Sequence, residues 1–291
     1  MTGPGRPFCI TIDVEDHRAD ASMPMRVPAL VDQLLAWLDD RAIRATAFVV
    51  GSLAAEHPDV VRRIAAQGHE LALHNWEHVH LTTQDEDSFR AGLLRGKAVL
   101  EDLSGRPCTG FRAPTGSLVP STMWCTDVLA EVGFHYDSSV FPGRNQLFGF
   151  PGAPRTPPFR WPSGLVEVGQ FVVLPNPFSV PMGGTFLRVL PWPALALGVR
   201  LHPPAQTSCV YLHPYDIDLE ETPWKVPEAG AASRLLFMGR RGLLTKLDRL
   251  VRRLGTAPPL GEQVEQLDPQ ALPLFDPPLS AGATRLRAGR R

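Results

Sequence analysis

Residues 7–16 read Pro7-Phe8-Cys9-Ile10-Thr11-Ile12-Asp13-Val14-Glu15-Asp16. Residues 8–13 predict a short buried β-strand that runs straight into a cluster of carboxylates. Outward from it, strands and amphipathic helices take turns. Residues 28–40 predict a helix with Leu30, Leu34, Leu35 and Leu38 on one face. Residues 45–50 predict the next strand. Residues 57–67 predict a helix, with Pro58 near its start and Gly68 just past its end. Strands follow at 69–74, 110–114, 134–139 and 210–213, and helices at 85–103 and 120–132. Such alternation predicts an α/β protein with a mostly parallel sheet, open or closed into a barrel. Only five or six strand–helix units are clear, short of a full eight-fold barrel.

Composition narrows the function. The chain has 291 residues, 44% of them hydrophobic and 20% charged, with a formal net charge of −1. Nucleic-acid binders usually carry a basic excess, so nucleic acid is not an expected partner. Cys9, Cys108, Cys125 and Cys209 form no CxxC pair, which predicts buried free thiols instead of a structural zinc ribbon. Acids interrupt the first residues where a leader would need an apolar run. The apolar stretch 190–201 is broken by Pro191 and Pro193 and falls short of the roughly 20 residues of a membrane span. A cytoplasmic protein is therefore expected. Residues 1–257 are read as one catalytic domain, with a Pro/Gly-rich, β-like insertion at about 144–204 that could cover a site. Residues 258–291 lack periodicity and are read as a disordered tail.

Asp13, His74, Arg112, Asp137 and His213 each fall at or just past the C-terminal end of a predicted strand. In parallel α/β folds those ends share one face or crevice, where reactive groups collect. His74 and His78 are four apart, and on one helical turn both would project to the same side and hold one metal ion. A hydrolytic zinc site commonly needs a third protein ligand and an open position, and Asp13, Glu15 and Asp16 offer carboxylates at the same end. A neighbouring carboxylate can act as general base and an imidazole as general acid. His213, in Tyr211-Leu212-His213-Pro214-Tyr215, is placed for the second role.

In order along the chain, the segments TIDVEDH, HNWEH, FRAP, DSS and YLHP resemble the five motifs of the polysaccharide deacetylases, carbohydrate esterase family four, over roughly residues 7–216. The GHExxxH run before a second histidine, in residues 68–78, is especially characteristic. The segment Pro181-Met182-Gly183-Gly184-Thr185-Phe186-Leu187-Arg188 is similar to one in deacetylases of bacterial exopolysaccharide loci. The resemblance implies a distorted (β/α) barrel with fewer than eight strands and removal of an N-acetyl group from an amino sugar. It implies Asp13 as general base, His74 and His78 as ligands of a divalent metal, most often zinc, and Arg112 as the partner that orients Asp13. It further implies that Asp137 orients His213, the general acid, and that backbone N–H groups near Thr115 receive the oxyanion.

The chain departs from the common form in two places. Val14 stands where a second, metal-binding acid is usual, so the carboxylate ligand is expected to be Glu15, with Asp16 as the alternative. Thr115 stands where an aromatic residue is usual. Trp76, Phe141 and Tyr215 are aromatic residues near the motifs that could stack on a sugar ring. Two other functions fit the same residues: deacylation of a lipid-linked sugar, secondary metabolite or cyclic imide, and sugar binding by an inactive homologue.

Overall fold

The structure is a computed structural model that describes residues 6–143, 149–155, 158–170, 172–174, 180–201, 204, 207–225 and 230–278. Its strands are β1 Cys9–Val14, β2 Thr46–Val49, β3 Glu70–Leu73, β4 Gly110–Phe111, β5 Tyr136–Asp137, β6 Phe159–Arg160, β7 Val166–Glu167, β8 Val172–Leu174, β9 Val180–Pro181 and β10 Cys209–Leu212. Its helices are α1 Val27–Asp39, α2 Gly51–Glu56, α3 Pro58–Ala66, α4 Glu86–Ser104, α5 Cys125–Val132, α6 Gly184–Val189, α7 Trp192–Leu201, α8 Leu243–Leu254 and α9 Leu260–Val264.

One curled sheet carries the order β10-β1-β2-β3-β4-β5-β7-β6. Every pairing from β10 to β7 is parallel, and β6 closes the series antiparallel to β7. Among the described residues the parallel strands of this sheet number seven, fewer than a full barrel requires, and the eighth member is this antiparallel edge. The distorted-barrel expectation therefore holds. The sequence pattern missed α2, a single short helix that follows β2 almost without a break. Strands β6 and β7, inside the stretch read as an insertion, are integral to the main sheet, while β8 and β9 form a separate antiparallel ribbon.

Alternation along β1 sorts its side chains into two cores. Phe8, Ile10, Ile12 and Val14 pack into the large cluster that also holds Leu30, Leu34 and Leu38 of α1, Val61 of α3 and Phe89 and Leu93 of α4. Cys9 belongs to a smaller cluster with Phe48, Ala72, Tyr136, Val166 and Cys209, the interior of the half-barrel. Thr11 and Asp13 share the parity of Cys9. The four cysteines are free and buried, as expected. Among the described residues no helix is long and apolar enough to cross a membrane.

Residues 258–278 depart from the tail expected by sequence; residues 279–291 lie outside the described residues. Leu260 and Val264 of α9 join the interior cluster and plug the lower mouth of the half-barrel. The amide of Leu260 donates to Thr46 Oγ1 at 2.8 Å and that of Gly261 to Glu70 Oε2 at 2.9 Å, while the Tyr136 hydroxyl donates to Glu70 Oε1 at 2.9 Å. Phe275 packs on Phe150, Phe159 and Trp161. The segment looks structureless in sequence because its few apolar residues follow no period; they are held one by one by partners far away in the chain.

Truncation after Ala257 should lower unfolding stability by at least about 3 kcal/mol relative to truncation after Pro278, from the burial of Leu260 and Val264 alone. Urea denaturation of the two shortened chains checks this, and equal stabilities would contradict the plug.

Candidate active site

The C-terminal ends of β1, β3, β4 and β10 open into one cleft. It is lined by Asp13, Glu15, His74, His78, Arg112 and His213, with Thr115, Ser139, Phe141, Gln170, Pro181, Tyr211 and Tyr215 around them.

The two acids of the first motif reach the cleft by strand geometry. Asp13 is on β1, and Glu15 follows two residues later, so both point the same way while Val14 between them is fully buried among the helices. Asp16 has the opposite parity. Its side chain is 33% exposed and pairs with Arg18 at 2.8 Å, away from the histidines. The choice left open by sequence is thus resolved in position: Glu15 meets the histidine pair.

His74 leaves the end of β3, its Nδ1 2.8 Å from the carbonyl oxygen of Arg112. A carbonyl only accepts, so Nδ1 carries a proton, which makes Nε2 the ring atom that could bind a cation. That Nε2 lies 3.2 Å from Glu15 Oε2, and His78 Nε2 lies 2.7 Å from the same oxygen. Ligand atoms of Glu15, His74 and His78 all fall within 4.8 Å of one another, the spacing of a shared cation. The donor set, two imidazoles and one carboxylate with the tautomer of His74 fixed from behind, suits a zinc-type ion.

The histidine pair is not on a helical turn, as its spacing had suggested. Residues 74–80 form a loop, and Asn75 makes it possible. Asn75 takes the left-handed conformation with φ 65°, which asparagine tolerates better than most residues. Its Oδ1 accepts from Trp76 N at 2.9 Å and its Nδ2 donates to Val79 O at 3.3 Å. Trp76 is held beneath the guanidinium of Arg95, 3.8 Å from its ring centroid, and is absent from the cleft lining.

Arg112, 2% exposed, organises Asp13. Its Nη1 donates to Asp13 Oδ1 at 2.6 Å and Thr11 Oγ1 at 2.8 Å; its Nη2 donates to Ser138 Oγ at 2.9 Å and its Nε to Ser138 O at 3.1 Å. The expected Arg112–Asp13 pair is therefore in place. It leaves Asp13 Oδ2 facing the cleft, 3.9 Å from His213 Nε2, and His213 Nε2 is also 3.9 Å from Glu15 Oε1.

The expected partner of His213 is corrected. Its Nδ1 lies 3.0 Å from Asp216 Oδ2, an oxygen that also accepts the His213 backbone N–H at 2.8 Å. Asp137 is engaged elsewhere, accepting from the Ser139 hydroxyl and facing Glu167 across the β5–β7 pairing. Burial drives both of these carboxyls upward, Asp137 to about 6 and Glu167, further raised by Asp137, well above the usual range, so the pair retains a proton. Glu167 accepts from Ser139 N, Val140 N and Trp161 Nε1. Asp137 thus braces the Ser139 wall of the cleft and does not orient the imidazole. Asp216 escaped the sequence reading, although its signal was present: an acid three residues after His213, with Pro214 opening a 3-10 turn, is a local capping pattern.

Burial disfavours charge on His213, but Asp216, Glu15 and Asp13 outweigh it and move the imidazole up to about 9. Burial likewise opposes charge on Glu15, and the surrounding imidazoles reverse this, holding it well below the usual carboxylate range. Tyr215 stacks on His213 at 4.5 Å and on His17 at 4.1 Å, so its ring is committed to imidazoles. Phe141 is 2% exposed and lines the cleft wall. Thr115 lies at the cleft edge with φ 54°, its backbone turned into the left-handed region.

Residues 3–136 match the family profile described as polysaccharide deacetylase, and residues 138–256 match one described as a domain of unknown function, DUF3473. The peptidoglycan-N-acetylglucosamine deacetylase of Bacillus cereus is 29% identical over 101 residues, which is 34% of this chain and 35% of that protein. The chitooligosaccharide deacetylase of Sinorhizobium fredii is 32% identical over 103 residues, 35% of this chain and 45% of that one. The chain therefore matches well under two thirds of the length of these relatives. A candidate polysaccharide deacetylase from Mycobacterium smegmatis, seen in a crystal structure, shares the fold with a TM-score of 0.62 and 23% identity, covering 95% of this chain and 96% of that one. With the five motifs in order around one half-barrel cleft, residues 3–136 match the polysaccharide deacetylase family, carbohydrate esterase family four, and the chain shares the fold of the Mycobacterium smegmatis structure.

Proposed function

We propose that this chain hydrolyses the N-acetyl group of an amino sugar within a glycan, with Glu15, His74 and His78 holding a divalent cation, zinc by the chemistry of its ligands. The observation that carries the proposal is the grouping of those three ligands within 4.8 Å beside Asp13 and His213. The peptidoglycan and chitooligosaccharide deacetylases it resembles act, by their names, on N-acetylated glycans, which supports the substrate class.

A cation held by Glu15, His74 and His78 would supply Lewis acidity to the amide carbonyl and make nearby water more acidic. The chain supplies the proton transfers. Asp13 Oδ1 is occupied by Arg112, so the free Oδ2 takes the proton of the attacking water. His213 presents Nε2 to the same space and delivers a proton to the departing amine, while Asp216 holds Nδ1 and stabilises the imidazolium. The 3.9 Å between Asp13 Oδ2 and His213 Nε2 is too long for a direct hydrogen bond and leaves the two groups free to serve opposite sides of a scissile bond. Backbone N–H near Thr115 is the proposed donor to the oxyanion. Phe141 and Pro181 offer apolar walls to a sugar ring, and Gln170 and Ser139 offer hydrogen bonds to its hydroxyls.

Replacing His74 by Ala should remove the bound metal, measured by elemental analysis of the purified protein, and abolish acetate release from N-acetylated glycans. Full metal content in that variant would reject the ligand set. Asp13→Asn should keep the metal and slow turnover by about 10²–10⁴-fold, and His213→Ala should slow it by a similar order while substrate still binds. Wild-type turnover in Asp13→Asn would remove Asp13 as the base.

A further inference from the structure

The segment Met182–Arg188 serves no role in the reaction as described so far, yet it packs directly behind His213. It lies in the part of the chain that matches the uncharacterised domain, outside the polysaccharide deacetylase match. Gly183 and Gly184 open α6 against the ring of Tyr211, which sits on β10 two residues before His213. A Cβ at Gly183 would stand 2.3 Å from Tyr211 Cδ1 and 2.5 Å from its carbonyl oxygen, so only glycine lets α6 come this close.

This approach delivers Arg188. Its Nε lies 2.8 Å from Asp216 Oδ1, and both side chains are 0% exposed. The remaining guanidinium nitrogens are anchored: Nη1 donates to Leu236 O at 2.8 Å and Met238 O at 3.0 Å, and Nη2 donates to Thr185 Oγ1 at 2.8 Å. Asp216 is divided between two duties: Oδ2 accepts the backbone N–H of His213 and lies beside its ring, and Oδ1 faces Arg188 Nε as a charge contact without hydrogen-bond alignment. A carboxylate buried to this degree persists only with compensating charge and fixed donors. His213 alone supplies a positive charge only while it is protonated, and in the proposed reaction it gives that proton away.

We infer that Arg188 is a positioning residue for the general acid: it keeps Asp216 anionic and aimed at His213 Nδ1 throughout turnover, so that residues 138–256 complete the catalytic apparatus that residues 3–136 begin. The inference deepens the proposed deacetylation and rests on it for its kinetic consequence, but the Arg188–Asp216–His213 chain can be read without any substrate. The Pro-Met-Gly-Gly-Thr-Phe-Leu-Arg segment then has a physical logic. Its glycines permit the approach, Thr185 fixes the guanidinium, Leu187 is fully buried beside it, and Arg188 carries the charge.

Two readouts test this on the metal-loaded protein. In ¹⁵N-histidine-labelled protein, the Nδ1–H of His213 should give a low-field proton resonance held by Asp216. Arg188→Met should abolish or shift it upfield, and Arg188→Lys, which preserves charge and can still fold where the Met variant does not, should retain it in part. With penta-N-acetylchitopentaose as substrate, Arg188→Met should lower kcat roughly 10- to 100-fold with KM and bound metal unchanged. Added to His213→Ala it should cause no further loss, because its effect runs through that ring. An unaltered Nδ1–H in both variants, or equal losses from Arg188→Met with and without His213, would overturn the inference. Loss of the resonance in Arg188→Met, together with a wild-type protein that shows it but releases no acetate, would uphold Arg188 and overturn the deacetylase reading instead.

Discussion

The guanidinium of Arg112 is the joint on which the mouth of the half-barrel is assembled. It leaves β4, bonds Thr11 and Asp13 of β1 and Ser138 beyond β5, contacts Cys209 Sγ of β10 at 3.3 Å, and lies 4.0 Å over the ring of Phe48 on β2. An arginine buried this completely is tolerable only when paired and saturated with acceptors, and removing one partner of such a pair costs about 3–5 kcal/mol. The requirement reaches in two directions. It fixes how the strand ends converge, and it leaves Asp13 turned with a single free oxygen toward the cleft.

From that joint the site divides labour by strand parity. Asp13 and Glu15 share one direction, and Val14 between them goes to the helix layer. The same alternation explains why the carboxylate that meets His74 and His78 is two residues beyond the proposed base, not adjacent to it. His74 is steadied by the carbonyl of Arg112 itself, so base and histidine pair hang from one residue. On the far side His213, Asp216 and Arg188 form a second line of buried charges, contributed by the later half of the chain.

Much of this was legible in sequence, and the limits have physical causes. The strand–helix alternation of residues 8–139 carried the fold because its longer helices bury periodic apolar faces and β1, β2 and β3 are short apolar runs. Asp13, Arg112, His74 and His213 could be picked out because strand ends gather on one side of a parallel sheet, and His78 by its spacing from His74. The loop carrying His78 was misread as helical, since four-residue spacing does not distinguish a helical turn from a loop turned by a left-handed Asn75. The partner of His213 was misassigned because it was taken from the resemblance; Asp137 closes β5 and faces Glu167, while Asp216, three residues past His213, faces Arg188. Strands of two residues such as β6 and β7 carry no period at all, and the plug around Leu260 is written in long-range contacts that no local pattern records.

The central claim is that one cation sits among Glu15, His74 and His78 with Asp13 beside it and unligated. Anomalous diffraction at the zinc edge on crystals of the zinc-loaded protein addresses it directly. The account predicts a single strong site with two imidazole nitrogens and a Glu15 oxygen at about 2.0–2.2 Å. A zinc bound through Asp16, or held away from His74 and His78, would contradict it.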